Sequence, residues 1–78
     1  EFVFPKGAKV LTVQVQRNKP RMWVLLNPEA KTEIRRLVLY GTGWSIDTEL
    51  GKELVYIGTF QLEGGGLVFH LFEEIEKR

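Results

Sequence analysis

The chain has 78 residues, 44% hydrophobic and 27% charged, with a net charge of +1 and no cysteine. That length makes one domain, residues 1–78, and the missing cysteines exclude disulfide staples and thiolate chemistry. No apolar run approaches the roughly 20 residues of a membrane helix. The start, Glu1-Phe2-Val3-Phe4-Pro5, also lacks the basic lead and long apolar core of a signal peptide. A reducing compartment, most simply the cytoplasm, is expected.

The short Phe2–Phe4 piece reads as an added edge strand. Ala8–Gln16 alternates, with Leu11, Val13 and Val15 on one face and Thr12, Gln14 and Gln16 on the other. Arg17-Asn18-Lys19-Pro20 reads as a turn and Arg21–Leu26 as the returning strand, with Trp23 in the core. Asn27-Pro28-Glu29-Ala30 is a second turn. Thr32–Tyr40 is ambiguous: Thr32-Glu33 is a possible helix cap, but the β-branched and aromatic content favours a strand, with Ile34, Arg36, Val38 and Tyr40 on one face.

Gly41–Lys52 is the longest connection, and loops of that length in small domains are often functional. Leu54–Leu62 is a strand whose central Gly58 marks a bulge or a close backbone approach. Glu63-Gly64-Gly65-Gly66 is a hairpin connection, Leu67–Phe72 the last strand, and Glu73–Arg78 a charged tail that forms a helical turn or frays. The fold class is all-β: a small antiparallel meander of five or six strands, forming a barrel or a sandwich. A core this small is marginal without staples, so a homo-oligomer, from dimer to hexamer, is expected.

Charge is uneven along the chain. Residues 1–36 carry eight basic and three acidic residues, and residues 37–78 carry three and seven. The split permits a basic pocket for a phosphorylated ligand, charge pairing between subunits, or an ordinary solvated surface.

Catalytic signatures are missing. The single histidine, His70, and single serine, Ser45, would need Asp47 beside them for a triad, and no nucleophile-elbow pattern surrounds Ser45. Gly41-x-Gly43 lacks the rest of a dinucleotide fingerprint, and no phosphate-binding Gly-Lys-Thr loop occurs. No metal site is expected: Glu73, Glu74 and Glu76 lie on the tail and read as solvated. The chain therefore reads as a non-enzyme that needs no cofactor.

Binding residues are easier to find. His70 shares a face with Val68 and Phe72 and is either a packed neutral imidazole or a ligand donor. Gln14 and Gln16 repeat on one strand face, as amides that read base edges or as plain exposed surface. Trp44 sits in a polar loop, where an indole is unfavourable unless it stacks on something. Arg35 and Arg36 point to opposite faces, and a guanidinium is the better phosphate clamp.

Five runs carry a resemblance. They are Pro5–Gln16 (PKGAKVLTVQVQ), Trp23 with Asn27-Pro28, Tyr40-Gly41-Thr42-Gly43, Tyr56–Gln61 (YIGTFQ) and Gly65–Glu73 (GGLVFHLFE). Together they resemble a widespread family of very small phage and prophage proteins, with the pattern PKGAxxLSVQVQ, a Trp strand, YGTGHPI, YIGTFQ and GGLVFHVFE. Trp44-Ser45 stands where that pattern has His-Pro, a departure that bears on ligand choice if the loop touches one.

Such a resemblance implies an immune-evasion protein that acts by binding: a sponge for a cyclic nucleotide signal of anti-phage defence, of the CBASS kind. Under that expectation Tyr40, Thr42, Gly43 and Trp44 form the pocket wall with Arg36, and Gln14, Gln16, Thr59, Gln61 and His70 add contacts. The alternatives are a protein–protein inhibitor of a host defence enzyme and a small single-stranded nucleic-acid-binding barrel, the latter disfavoured by the near-zero charge.

Overall fold

A computed structural model gives the structure of residues 1–76. Six strands follow in order: β1 (Phe2–Pro5), β2 (Lys9–Gln16), β3 (Lys19–Leu25), β4 (Thr32–Gly41), β5 (Lys52–Leu62) and β6 (Leu67–Glu76). They form a four-stranded antiparallel sheet in the order β1-β4-β6-β5 and a two-stranded antiparallel sheet of β2 and β3. The all-β antiparallel expectation holds, and Thr32–Tyr40 is strand rather than helix. The sheets stay open, so no barrel closes. β2–β3 and β5–β6 are hairpins between sequence neighbours, whereas β4 pairs with β1 and β6.

Turn chemistry sets the hairpins. Arg17 and Asn18 take φ of 53° and 61°, which gives a tight two-residue loop. Lys19 and Pro20 are consequently strand residues paired with Gln16 and Val15, not part of the turn. Pro20 is tolerated because β3 is an edge. At the β5–β6 connection Glu63, Gly64 and Gly65 all have positive φ within one 3₁₀ turn, and the Asn18 side chain bonds the Glu63 amide at 2.9 Å. Asn27 closes the turn before β4 by accepting from the Glu29 amide at 3.1 Å.

Two bulges decide which residues face inward. In β2 the register slips between Val10 and Thr12, which leaves Leu11 as the extra residue. Leu11 is thereby turned out, 51% exposed, and Val10 takes the inward place that plain alternation gives to Leu11. In β5 the register slips between Tyr56 and Gly58, around Ile57.

The core is small. Ala8, Val13, Phe60 and Leu71 are the buried hydrophobic residues, and Met22, Leu37, Ile57 and Phe69 are among those packed around the Val13–Phe60–Leu71 centre. β2 crosses β5 where Gly58 lets it approach: a Cβ at Gly58 would lie 3.0 Å from Val13 Cγ1. Trp23, expected in the core, is 39% exposed, because Met22 and Val24 take the inward positions of β3.

Glu73, Glu74 and Glu76 belong to the sheet rather than to a tail, with Glu73 and Glu74 13% exposed and Glu76, at 78%, solvated as expected. They continue β6, and each pairs with a cation of a neighbouring strand: Arg35, Arg36 and Lys52 respectively. Arg35 is also held by the Ala8 carbonyl at 2.7 Å and lies 5.7 Å from the Phe4 ring, so it ties β1, the β1–β2 turn and β6 together. The rest of the expected tail, residues 77–78, falls outside the described residues.

Candidate functional site

The outward face of β4, β6 and β5 carries a three-by-three array. Cross-strand register places Val38, Phe72 and Tyr56 in one row, and Tyr40, His70 and Thr59 in the next. The third row holds Thr42, whose amide bonds the Val68 carbonyl at 3.1 Å, with Val68 and its partner Gln61. In a regular strand Tyr56 and Thr59, three residues apart, would face opposite sides. The bulge at Ile57 brings both to this face.

A continuous chain of hydrogen bonds crosses the array. Thr42 Oγ1 lies 2.9 Å from His70 Nε2, His70 Nδ1 lies 2.9 Å from Thr59 Oγ1, and Thr59 Oγ1 lies 2.6 Å from the Tyr56 hydroxyl. A neutral imidazole has one donor and one acceptor nitrogen, so the chain has two self-consistent proton orders. In one, Tyr56 donates to Thr59, Thr59 to Nδ1 and Nε2 to Thr42, which leaves the Thr42 proton free for a guest. In the other, every arrow reverses and the Tyr56 proton is free. The array can therefore offer a donor at either end, about one net hydrogen bond of 0.5–1.5 kcal/mol each.

Aromatic rings flank this chain. Phe72 meets Tyr40 edge-on at 5.8 Å between centroids and Tyr56 at 5.6 Å. The Tyr40 hydroxyl reaches the Asp47 carbonyl at 3.4 Å, which links the long loop to the array. Tyr56 is 57% exposed, so its ring is available to stack on a planar ligand.

Of the residues singled out from sequence, Tyr40, Thr42, Thr59 and His70 come together here, with Gln61 at the edge. Arg36 shares the face but stands four residues from Tyr40, roughly 13 Å along the strand. Its guanidinium pairs with Glu74 at 3.4 Å, beside a groove lined by Glu1, Glu33, Glu49 and Glu76.

Trp44 goes to the other side of the sheet. Its indole lies on Gly41, where a Cβ would come within 2.7 Å of Cε2, and meets the Phe69 ring edge-on at 6.3 Å. Gly43 supplies the positive φ of 87° that folds the loop back, and the Trp44 amide bonds the Gly41 carbonyl at 3.0 Å. Gln14 and Gln16 are exposed on β2, in the smaller sheet.

Sequence reasoning named neither Tyr56 and Phe72, two aromatic members of the array, nor Val38 and Val68 as site residues. Gly58 was the available signal: a glycine-marked bulge changes the parity of everything before it.

His70 bonds two threonines rather than Ser45, and the group behind it is a hydroxyl, not a carboxylate. A hydroxyl chain orients an imidazole but supplies no charge to balance an imidazolium, as a triad acid does. Among the described residues no cluster of three metal-ligating side chains occurs, and no helix is long and apolar enough to cross a membrane.

No curated protein and no solved structure matches this chain. The family described as "Domain of unknown function (DUF7352)" matches it over residues 1–78, and the chain belongs to that family.

Proposed function

We propose that this protein captures a planar heteroaromatic ligand on the Tyr40–His70–Thr59 face and does not turn it over. In its specific form, the ligand is a cyclic nucleotide signal of bacterial anti-phage defence, and the protein serves a phage by sequestering it. One observation carries the reading: a hydrogen-bonded hydroxyl–imidazole chain lies open to solvent between aromatic rings. Hydroxyls and an imidazole suit base edges, and tyrosine rings suit base faces, with stacking of roughly 1–3 kcal/mol per base. Arg36 is the nearby cation on this face. Its side chain is 56% exposed while that of Glu74 is 13% exposed, so an entering phosphate can reach the cation as a second partner beside Glu74. The phage context and the cyclic nucleotide class come from the sequence resemblance.

Thermal unfolding with a panel of cyclic di- and trinucleotides tests this. Ligand at a hundred times its Kd adds about 2.7 kcal/mol, a rise on the order of 10 °C for a domain of this size. His70→Ala and Tyr40→Ala should abolish the rise for the nucleotide that gives it. No rise with any nucleotide would remove the proposal, as would wild-type affinity in both variants.

A further inference from the structure

We infer that the open apolar cleft between the two sheets is the docking surface for a second copy of this chain, so that the working unit is a homodimer. This goes beyond the ligand reading and stands independently of it.

The first ground is area. The chain exposes 6036 Å². A compact monomer of its 9.0 kDa mass exposes about 4,850 Å². The excess, about 1,200 Å², exceeds the roughly 800 Å² that each partner gives up in a standard stable interface. Shape agrees: the radius of gyration is 13.7 Å, against about 11.5 Å for a compact 78-residue domain, and the extents are 39 × 33 × 15 Å. This is a slab with one half-covered face.

The second ground is where the apolar area lies. β2 carries most of the packing between the sheets, against β5, and β3 reaches the core through Met22. A cleft of about 470 Å³ opens between β3 and the β1–β4 side, lined by Phe2, Met22, Leu37, Leu39 and Phe60, with Arg21 among its walls. Phe2 and Leu39 point into it and are still 45% and 46% exposed. Side chains on the inward face of a sheet that remain half in water are those a partner covers.

The third ground is charge, which selects a second copy over another protein. No acid occurs from Phe2 to Pro28, and Arg17, Lys19 and Arg21 sit at the β2–β3 turn and on β3. The larger sheet carries a groove in which six acids, Glu1, Glu33, Glu49, Glu73, Glu74 and Glu76, outnumber three cations, Arg35, Arg36 and Lys52. A two-fold interface presents each patch to its counterpart twice, so a chain basic at one end and acidic at the other complements itself.

Light scattering on the eluting chain, from about 1 to 100 µM, tests this. The expected mass is about 18 kDa, twice the 9.0 kDa of one chain. Leu39→Glu should bring it down to one chain. Arg21→Glu, at an exposed position where folding is not at stake, should raise the dissociation constant at least tenfold. Leu25→Glu, outside the cleft lining and at the far end of β3 from Arg21, should leave the dimer intact. A single-chain mass for the unaltered protein across that range overturns the proposal. So does an assembly that survives Arg21→Glu unchanged, or one that Leu25→Glu breaks.

Discussion

Gly58 of β5 lies directly beneath Val13 of β2, so close that a methyl group on the glycine would stand 3.0 Å from Val13 Cγ1. This contact is where the two sheets meet, and it sits on the bulge that re-aims Tyr56. Gly58→Ala should therefore destabilise the fold by about 1–3 kcal/mol through overpacking. Val13→Ala should cost a similar amount through its cavity. Because the two changes offset each other's volume, the double variant should be more stable than the sum of the single losses implies. Urea unfolding of the four proteins measures the coupling, and strict additivity would show that the two positions do not touch.

The same bulge makes the hydroxyl chain possible, so the chain can be cut one link at a time. Thr59→Val keeps the shape and removes the link between His70 Nδ1 and Tyr56. Stability should change by about 1 kcal/mol or less, since these groups face water. The ring nitrogens should respond more: nitrogen chemical shifts of His70 should show a changed tautomer balance once Nδ1 loses its partner. Tyr56→Phe should shift that balance less. Identical His70 spectra in all three proteins would mean the chain does not form.

Alternation, turn residues and β-branched content were enough to read the strands, because each depends on a few adjacent residues. β4 was legible as strand for that reason, and Tyr40, Thr42 and His70 were legible as site candidates from their types. Two things were hidden. A bulge shifts parity without changing composition, so plain alternation puts Leu11 on the wrong face and does not bring Tyr56 to the same face as Thr59. Long-range pairing is also silent in a local pattern: Glu73 reads as a solvated acid until β6 is laid beside β4 and Arg35 meets it. Trp44 was legible as an indole in need of a partner, but Gly41 and Phe69 provide it within the chain.

Arg35 is the most connected side chain of the larger sheet. It makes a two-pronged pair with Glu73, donates to Ala8 and approaches Glu33 at 3.5 Å, with 16% of its side chain exposed. Arg35→Ala should cost about 3 kcal/mol, because it leaves the Glu73 carboxylate largely out of water and unpaired. Arg35→Lys should restore little of this, since an ammonium cannot match the fork. Chemical unfolding gives the numbers, and a lysine variant as stable as the parent would show that charge alone suffices.

The Lys52–Glu76 pair sets a different signature, at alkaline pH. The hydrogen bond to Glu76 raises the Lys52 pKa above its ordinary 10.5. A cation whose pKa rises on folding contributes its full stabilisation below the unfolded value and loses it as pH climbs through the folded value. Parent and Lys52→Gln should therefore differ slightly but constantly from pH 7 to pH 10, and converge above about pH 10.5. The difference should shrink in high salt, as an exposed pair is screened. Urea midpoints against pH follow it, and a gap that widens with rising pH would have the wrong sign.

Trp44 offers an optical test of the loop. In a Trp23→Phe background it is the only indole, since the chain has two tryptophans. Its ring rests on Gly41, so Gly41→Ala must displace it: a Cβ there would sit 2.7 Å from Cε2. The indole is 61% exposed and belongs to a loop, so it can swing away at little cost. Stability should fall by about 1 kcal/mol or less, while the emission maximum moves to the red and quenching by iodide increases as the ring leaves Phe69 for water. The array around His70 lies on the opposite face, so nucleotide affinity should be unchanged by Gly41→Ala. Loss of affinity together with the red shift would put the indole, rather than the Tyr40–His70–Thr59 face, in contact with the ligand.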